Sequence, residues 1–542
     1  MATRTLELPE GGIALPAHPF TGIDLRTDPG IDPKAEAKYT QPGKLLTAQN
    51  FVPYQQGVLS KRKGTTFLNA TAWANVNGVP FALRYYKDST SRFKLACAQK
   101  ATGDEIGVVD DTTGAFTKLT GMPAVGSNKR WRGVVAGEIP VAYFGNNNAG
   151  DGILKTSDGV NIAKLTGTQI PDHGFVGGPY FDRLLSWEGK GVSYSRNNNP
   201  TNWSNPDTGN QMWLFVQHPE DVEAVFTPGP EKTDVGFLGK LYVCTPTSTW
   251  VHQLDFDQSG GATSTRFSCI HERAGVASFS TVAWTDRGAV GMGVEDVWIF
   301  PLDGLPSPIG GEIADIIKAI PSAYRTLCSA TFRDGFYMLS YVRPGQAFPD
   351  REVWADLRAF TISGTAKYIT WWGPMIRQNI RIGCWMPQTQ QPDERELFAF
   401  AADEGRCMEC EDDVFADNSE PMVSIAETVD IGEGSPTRKI GAGLILGVYV
   451  SDIDSVTGSG NYDEGGVSAS KTVSISSTAS RFDVSLWDSA IFGGALYSLK
   501  NVRWGVPRPN GSKVRMTVTH SSDQAVAIKE LWAVLHPMGR IR

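Results

Sequence analysis

Short β-type runs separated by turn residues fill the chain from Asn50 to about residue 415, and this pattern limits the fold more than any other feature. The 542 residues include 58 Gly and 32 Pro. These recur at short intervals, as expected of many short strands joined by tight turns. Helical periodicity is confined to residues 312–319, where Ile313, Ile316 and Ile317 share one face before Pro321. The sequence therefore predicts an all-β fold with one short helix.

Two segments resemble each other at a spacing that fits one propeller blade. GAFTKLTG at 114–121 and GVNIAKLTG at 159–167 place Lys118 and Lys164 at a spacing of 46 residues. Each copy ends a run of four predicted strands, which is the strand number of a blade. Later segments fit the same plan with varying lengths. Residues 49–420 are therefore predicted to form a β-propeller of six or seven blades.

The two ends of the chain do not follow the blade rhythm. Residues 1–48 show no sustained period and are interpreted as an extended arm, mobile unless it packs on another surface. Residues 421–542 keep the alternation of strands and are predicted to form a β-sandwich-like platform domain. Within that domain, 441–450 reads as a buried strand, too short for a membrane span of about 20 residues. Residues 456–470 are rich in Gly and Ser and predict a mobile loop.

The charge and the cysteines exclude several classes of protein. Fifty Lys and Arg against 58 Asp and Glu give a net charge of −8, which disfavours binding to nucleic acid through its phosphates. The amino terminus lacks a basic stretch followed by an apolar core, so no secretory signal is expected. Seven scattered cysteines indicate reduced thiols rather than a disulfide framework. A protein made and assembled inside a cell is expected.

No motif predicts catalysis, so no catalytic or cofactor-binding residue is assigned. The chain has no nucleophile elbow, no P-loop, no zinc-protease helix motif and no dinucleotide fingerprint. Its histidines show no ligand-like grouping and are interpreted as solvated or core residues; they are His18, His173, His218, His252, His271, His520 and His536.

Two short segments have a partial metal-site spacing. Cys407 and Cys410 could be half of a zinc site, but the second pair would have to come from Cys269 and His271. A β-hairpin is the preferred interpretation of Cys407 and Cys410. Separately, the segment from Asp255 to Asp257 begins like a calcium loop, yet its closing position is Arg266, so a polar turn is preferred.

Two charged clusters are predicted to face water. Lys61, Arg62 and Lys63 form the compact basic cluster, which is expected on an exposed turn. The acidic run comprises Glu409, Glu411, Asp412 and Asp413, and a solvated loop is expected there.

Several segments, in their order along the chain, resemble the tail hub proteins of short-tailed bacteriophages, also called phage stabilisation, tail nozzle or tail tubular B proteins. They are Asn50-Phe51 followed by GVLSKRKGTTFLNA, GVSYSRNNNPTNW at 191–203, HERAGVASFSTVAWTDRGAVGMGVEDVWIF at 271–300, RFDVSLWDSAIFGG at 481–494 and the terminal LWAVLHPMGRIR. The family opening has R-P-G-T where this chain has Arg62-Lys63-Gly64-Thr65.

The resemblance implies a structural virion protein of the tail, assembled in the host cytoplasm. It implies a homohexamer that docks on an adaptor or connector ring, extends the DNA-ejection conduit, seats tail fibres or spikes and helps to retain the genome. Viral DNA would pass through the lumen without sequence-specific binding. The acidic charge fits this expectation, because an acidic lumen repels phosphate and lets DNA slide.

Two rival interpretations remain open. A carbohydrate-binding or carbohydrate-active propeller would use paired carboxylates on its loops, together with the plentiful Trp and Tyr. A cellular scaffold propeller would be a stable monomer without affinity for phage connectors. In the tail hub interpretation, by contrast, the amino-terminal arm and the predicted sandwich are expected to contact the adaptor ring.

Overall fold

The computed structural model describes residues 13–16, 20, 45–55, 58–88, 91–137, 139–180, 182–205, 209–210, 212–214, 219–227, 240–256, 262–302, 304–358, 369–386, 396–412, 414–428, 439–450, 454–462, 468–475, 496–503, 510–511 and 514–537. Most of the predicted arm therefore lies outside the described residues.

The alternating runs of the central region form small sheets of antiparallel strands. Within the described residues six sheets have the four strands of a blade, and a seventh, six-stranded sheet contains four such strands. Blades 1 to 3 comprise Gly78–Tyr86, Arg92–Gln99, Glu105–Val109 and Phe116–Lys118; Trp131–Ala136, Val141–Asn146, Leu154–Thr156 and Ala163–Lys164; Phe175–Tyr180, Arg183–Glu188, Gly191–Tyr194 and Met212–Leu214. Blades 4 to 6 comprise Ala224–Phe226, Lys240–Cys244, Thr249–Phe256 and Ala262–His271; Ala283–Thr285, Gly288–Met292, Val297–Pro301 and Ser307–Pro308; Ser329–Arg333, Phe336–Tyr341, Arg351–Asp356 and Thr370–Met375. Blade 7 comprises Ile382–Trp385, Leu397–Ala401, Cys407–Asp412 and Gly64–Phe67.

The innermost strands of the blades follow one another around a closed ring. The first strand of blade 1 contacts those of blade 2 and blade 7, and contacts between first strands also join blades 2 to 3, 3 to 4, 5 to 6 and 6 to 7. Blades 4 and 5 are joined by the Trp284 indole, which donates to the Thr227 carbonyl at 3.0 Å. The predicted β-propeller is confirmed, and the described sheets give it seven blades.

Blade 7 closes the ring with a strand from the other end of the propeller segment. Gly64–Phe67 pairs antiparallel with Cys407–Asp412, so that Met408 lies opposite Phe67 and Cys410 opposite Thr65. The resemblance implies a first propeller strand after the turn at residues 62–65, but its pairing with the last blade is not expected from the sequence. The strand Gly64–Phe67 is too short to show an alternation of apolar and polar residues. It is defined by its pairing partner instead.

Indole groups connect neighbouring blades. Trp131 at the start of blade 2 is 1% exposed, and its N–H donates to the Asp104 carboxylate of blade 1 at 2.9 Å. Trp371 of blade 6 is fully buried and donates to the Ile309 carbonyl, which follows blade 5, at 2.7 Å. Burying the rings between sheets while satisfying each N–H stabilises the blade order.

The remaining long strands form two facing sheets, here called the sandwich. Sheet A contains Phe51–Gln55, Val58–Lys61, Val526–Pro537, Lys439–Val450 and Leu496–Arg503, with Ile13–Pro16 and Asn510–Gly511 at its margins. Sheet B contains Leu45–Gln49, Ser424–Thr428, Val514–His520, Asp454–Tyr462 and Ser468–Ile475. The sheets meet closely at Gly458, where an added Cβ would lie 2.8 Å from Leu444 Cδ2.

The sandwich takes strands from both ends of the chain. The strand Leu45–Gln49 spans the predicted boundary between arm and propeller, and it pairs with Ser424–Thr428 of the sandwich. The hairpin of Phe51–Gln55 and Val58–Lys61, which was assigned to the propeller, joins Val526–Pro537 instead. The expected divisions at 48/49 and 420/421 therefore do not follow the sheets. The propeller is an insertion between strands of one sandwich.

Other predicted elements are found with altered bounds. The helix expected at 312–319 is the 3₁₀ turn Gly311–Ile313 followed by the α-helix Ala314–Ala319. The mobile loop expected at 456–470 was wrong, because Asp454–Tyr462 and Ser468–Ile475 pair as a hairpin. Its small residues allow the close approach of sheet A at Gly458. Residues 481–494, which resemble the tail hub family, lie outside the described residues.

The other short elements connect the sheets. They are the 3₁₀ turns Phe279–Thr281 and Ser322–Leu327, the pair Ser204–Asn205 and Gly209–Asn210, and the pair Ala416–Asp417 and Glu420–Pro421. In the part of the chain that the structure describes, we find no helix with the length and apolarity needed to cross a membrane.

Candidate functional site

Arg62 lies at the joint between the sandwich and blade 7. Its side chain is fully buried and forms an ion pair with Asp417, which is equally buried. Its Nη1 donates to Asp417 Oδ1 at 3.0 Å, and its Nε donates to Asn50 Oδ1 at 3.0 Å. Its Nη2 donates to the Ile376 carbonyl at 2.9 Å. One guanidinium thereby ties together the sandwich hairpin, the segment after blade 7 and the connection between blades 6 and 7.

Arg377 is the second buried cation of the joint. Its Nε lies 2.6 Å from Glu352 Oε1 of blade 6, and its Nη2 lies 3.1 Å from Glu411 Oε1 of blade 7. It also donates to the Thr65 hydroxyl on the closing strand. Burial acts to lower the pKa of Arg377, but the charge of Glu352 leads a set of neighbours that raise the pKa well above its ordinary value. The guanidinium is thus held charged between two blades.

Backbone irregularities aim these side chains into the joint. The register of blade 7 shifts between Cys410 and Asp412, and Glu411 has a φ of 58°. Such a bulge turns a side chain away from the regular pleat. Glu411 thereby accepts from the Tyr54 hydroxyl of the sandwich at 2.6 Å. Burial, together with the charge of Glu411, raises the pKa of Tyr54 well above its ordinary value, so the hydroxyl remains a donor.

The prediction that the two charged clusters face water is therefore wrong for Lys61, Arg62 and Glu411, whereas Lys63 and Glu409 are partly exposed. Lys61 is 1% and Arg62 0% exposed, and Glu411 is 6% exposed. The run with Glu409 lies on strand Cys407–Asp412, and Asp413 lies outside the described residues. The sequence reasoning missed Arg377, Glu352 and Asp417, since no local pattern marks partners that are distant along the chain. The signal in the sequence for a buried charge was Arg62 itself, which follows shortly after the apolar residues Val58 and Leu59.

A second cluster fills the propeller axis. Arg132 lies on the innermost strand of blade 2, and its Cζ lies 5.8 Å from the Phe81 ring of blade 1. The same atom lies 5.5 Å from Phe279 and 6.0 Å from Trp284, both across the ring. Side chains from blades 1, 2 and 5 can contact a single arginine only near the central axis of the propeller. Cation–π contacts of this kind stabilise a charge away from water.

Arg130 and Glu223 complete this axial cluster. Arg130 forms an ion pair with Glu223, which immediately precedes the first strand of blade 4, and its Cζ lies 4.9 Å from the Phe279 ring. Burial raises the pKa of Glu223, while the charge of Arg130 acts to lower it. The Phe279 ring packs on Phe175 of blade 3 at 4.8 Å. The axis is therefore occupied by the protein's own side chains.

A cleft of about 520 Å³ opens between blades 2 and 3. The connection between these blades supplies Asp172 and His173, whose Oδ1 and Nδ1 atoms lie 2.6 Å apart. The hairpin of blade 3 supplies Ser186, Glu188 and Ser193. Burial raises the pKa of Glu188, and the charge of His173 acts to lower it. The cleft therefore presents both polar and ionisable side chains to a small molecule.

Cys407 and Cys410 do not converge on one point. Both lie on the strand Cys407–Asp412, where residues three apart face opposite sides. Cys407 packs with Val76, Val79 and other apolar residues between blades 7 and 1, whereas Cys410 belongs to the core shared with the sandwich. Burial raises the pKa of each thiol to about 12. The preferred hairpin is present, with both cysteines on a single strand of it.

The remaining partial metal motifs occupy ordinary strands. Cys269 is exposed on blade 4, and His271 accepts from the Ala274 N–H through Nδ1 at 2.9 Å. Asp255 was expected in a polar turn, but it lies on Thr249–Phe256 opposite Ser264. Asp257 lies outside the described residues. Among the described residues, no three His, Cys, Asp or Glu side chains are grouped so as to hold a metal ion.

Comparisons with known proteins leave the family open. No family model and no curated protein matches the chain. Among solved structures, the chain is similar to the exo-β-1,3-galactanase from Phanerochaete chrysosporium crystallised with β-1,3-galactotriose. That likeness covers 87% of this chain and 100% of the other, at 9% identity and a TM-score of 0.27. At that TM-score the likeness carries no argument about activity.

Proposed function

We propose that this chain is a structural protein of a bacteriophage tail, a hub or nozzle subunit that assembles as a homohexamer below an adaptor ring. In this role six copies extend the conduit for DNA ejection, seat tail fibres or spikes and help to retain the genome. The order of the sequence segments that resemble the tail hub family supports the proposal. The protein would be assembled in the host cytoplasm and reside in the virion tail.

The observation that carries the proposal is the buried joint of Arg62, Asp417, Arg377, Glu352 and Glu411. A ring subunit that bears pressure from packaged DNA must transmit force without bending between its parts. Two buried guanidinium groups, each paired with carboxylates from other elements, fix the propeller on the sandwich. Paired and hydrogen-bonded buried charges of this kind are costly to separate.

The axial cluster bears on where DNA would pass. Because Arg132 and Phe279 fill the centre of the wheel, a conduit would run between subunits rather than through any one propeller. The net charge of −8 per chain suits a surface along which phosphate slides. The propeller of each subunit then forms one segment of the wall of the conduit.

Electron microscopy of the purified chain mixed with adaptor rings tests this proposal. We expect a largely monomeric chain in isolation and a sixfold ring on the adaptor. Asp417→Asn, which disrupts the joint, is expected to reduce ring formation. Asp403→Asn, which removes an exposed partner of Arg381, is the matched control and should assemble normally. A ring of another symmetry, or no ring, would contradict the proposal.

We also propose that the chain is not an enzyme. Among the described residues, three buried carboxylates serve as partners of arginines: Glu352 and Glu411 pair with Arg377, and Asp417 pairs with Arg62. The buried Asp104 instead accepts from the Trp131 indole. Incubation with bacterial polysaccharides should therefore release no reducing sugar. Release that disappears on substitution of one Asp or Glu would favour the carbohydrate-active alternative instead.

A further inference from the structure

The cleft between blades 2 and 3 has one wall from the hairpin of blade 3 and one from the connection between the two blades. Residues two apart on a strand share a face, so Ser186 and Glu188 face the same side as Leu184, which packs with Val134 and Tyr143 of blade 2. Ser193 lies directly opposite Ser186 in the hairpin. Hydroxyl and carboxylate groups of blade 3 therefore form one polar wall facing blade 2.

The opposite wall is held in place by backbone hydrogen bonds. The Gly152 N–H of blade 2 donates to the Asp172 carbonyl at 2.7 Å, and the Gly174 N–H donates to the Asn146 carbonyl at 2.7 Å. These bonds fix the connection that carries Asp172, His173 and the apolar Ile170. Trp203, 1% exposed, also lines the cleft. The cleft is thus built by ordered elements on both sides.

We propose that this cleft binds a neutral, hydroxyl-rich ligand of the size of a mono- or disaccharide. Its volume of about 520 Å³ falls in the range of about 300–1,000 Å³ that is typical of small-molecule sites. The polar lining offers serine hydroxyls and two carboxylates, which suit the alternating donors and acceptors of a sugar ring.

The charges around the cleft argue against the other ligand classes. Glu188 and Asp172 line it, whereas no Lys or Arg does among the described lining residues, so an anionic ligand would be repelled. Divalent cations are disfavoured because Asp172, His173 and Glu188 do not form a ligand group within the described chain. Glu188 is half-buried, so its carboxylate could accept hydrogen bonds from the hydroxyl groups of a ligand in the cleft.

Saturation-transfer NMR with free glucose, galactose, rhamnose, N-acetylglucosamine and glucosamine, followed by titration calorimetry, tests this inference on the full chain. Glu188→Gln keeps the shape of the side chain but removes its charge, and Ser193→Trp fills the cleft. Glu295→Gln, on an exposed turn of blade 5, is the matched control. Equal thermal unfolding temperatures would show that all variants are folded.

We expect at least one neutral sugar to bind saturably, and each cleft variant to weaken it by about tenfold or more, or about 1.4 kcal/mol. The control should bind like the parent chain. The absence of binding by any neutral sugar, or equal binding by both cleft variants and the parent, would overturn the inference. Binding of glucosamine alone would overturn the assignment to a neutral ligand. None of these outcomes bears on ring assembly, so the tail proposal stands or falls separately.

Discussion

Arg62 and Arg377 are the two charges on which the joint depends. Each is buried, and each is matched by carboxylates from elements distant along the chain. A buried pair contributes little relative to an apolar substitute, but removing one partner leaves an uncompensated charge. Stability should therefore be far more sensitive to one-sided substitutions here than at exposed ion pairs.

Asp417→Asn is expected to lower the free energy of unfolding by about 3–5 kcal/mol, because Arg62 would remain buried without its counter-charge. The exposed pair of Arg381 and Asp403 provides the control, and Asp403→Asn should cost less than about 1 kcal/mol. Chemical denaturation of the three proteins measures both values. Equal effects at the two sites would show that the joint is not energetically coupled.

His252 gives the protein a specific sensitivity to acid. The side chain is fully buried, with its ring edge-on to Tyr180 at 6.3 Å, and burial lowers its pKa from 6.5 to about 4. Between these pH values the unfolded chain binds a proton that the folded chain does not. Stability contributed by neutral His252 is present above pH 6.5 and is lost progressively as the pH falls towards 4.

His252→Leu should therefore flatten the dependence of unfolding free energy on pH between about 6.5 and 4, where the parent loses up to about 3 kcal/mol from this group. Gly311→Ala, at a position where an added Cβ meets nothing within 4 Å, changes no ionisable group; it is the control and should keep the slope of the parent. Denaturation midpoints measured at several pH values provide the test. An unchanged slope in His252→Leu would assign the acid sensitivity to other groups.

At the scale of elements, the closing strand Gly64–Phe67 decides whether the ring of blades is complete. A Cβ added at Gly64 would lie 2.0 Å from the carbonyl oxygen of Ala416, so the strand can approach its neighbours only with glycine there. At Gly311, by contrast, an added Cβ meets nothing within 4 Å. The two glycines form a matched pair of positions.

Gly64→Ala is expected to destabilise the protein by about 1–3 kcal/mol, because the contact is with backbone and the strand must shift. Gly311→Ala should change stability by no more than about 0.5 kcal/mol. Hydrogen exchange of the blade 7 amides should also accelerate in Gly64→Ala. A neutral Gly64→Ala would mean that the closing strand adjusts without cost.

Sequence reasoning succeeded where an element carries its own pattern. The strands of blades 1 and 2 show alternation and a repeat, and residues 441–450 form a long apolar run. It failed where an element is specified by a distant partner. Gly64–Phe67 and Leu45–Gln49 are too short to show a period, and each is fixed by strands more than 340 residues away. The cleft was missed for the same reason, since its walls meet only when blades 2 and 3 pack.

For the whole molecule, one continuous apolar core joins the sandwich to blades 5, 6 and 7. The same cluster contains Leu444 and Val518 of the sandwich together with Trp354 and Trp371 of blade 6. Separating the two parts would expose this core and break the joint. Propeller and sandwich therefore depend on each other for stability.

We expect the full chain to unfold in a single calorimetric transition whose van't Hoff and calorimetric enthalpies agree. The double variant Arg62→Met with Arg377→Met, which removes both cations of the joint, should separate unfolding into two transitions. Asp403→Asn should keep the single transition. Two resolved transitions in the parent chain would show that the parts are energetically independent.

The paired strands Leu45–Gln49 and Ser424–Thr428 lie before and after the propeller in the chain. Their pairing helps to determine which part of the protein bears an applied force. Ile13 of the first described strand lies opposite Leu535 of the last strand, so a pull between these two ends of the sandwich would peel their backbone hydrogen bonds apart from one end. The applied force does not pass through the ring of blades. Tension between the two ends of the chain would thus strain the sandwich first and leave the seven blades unloaded.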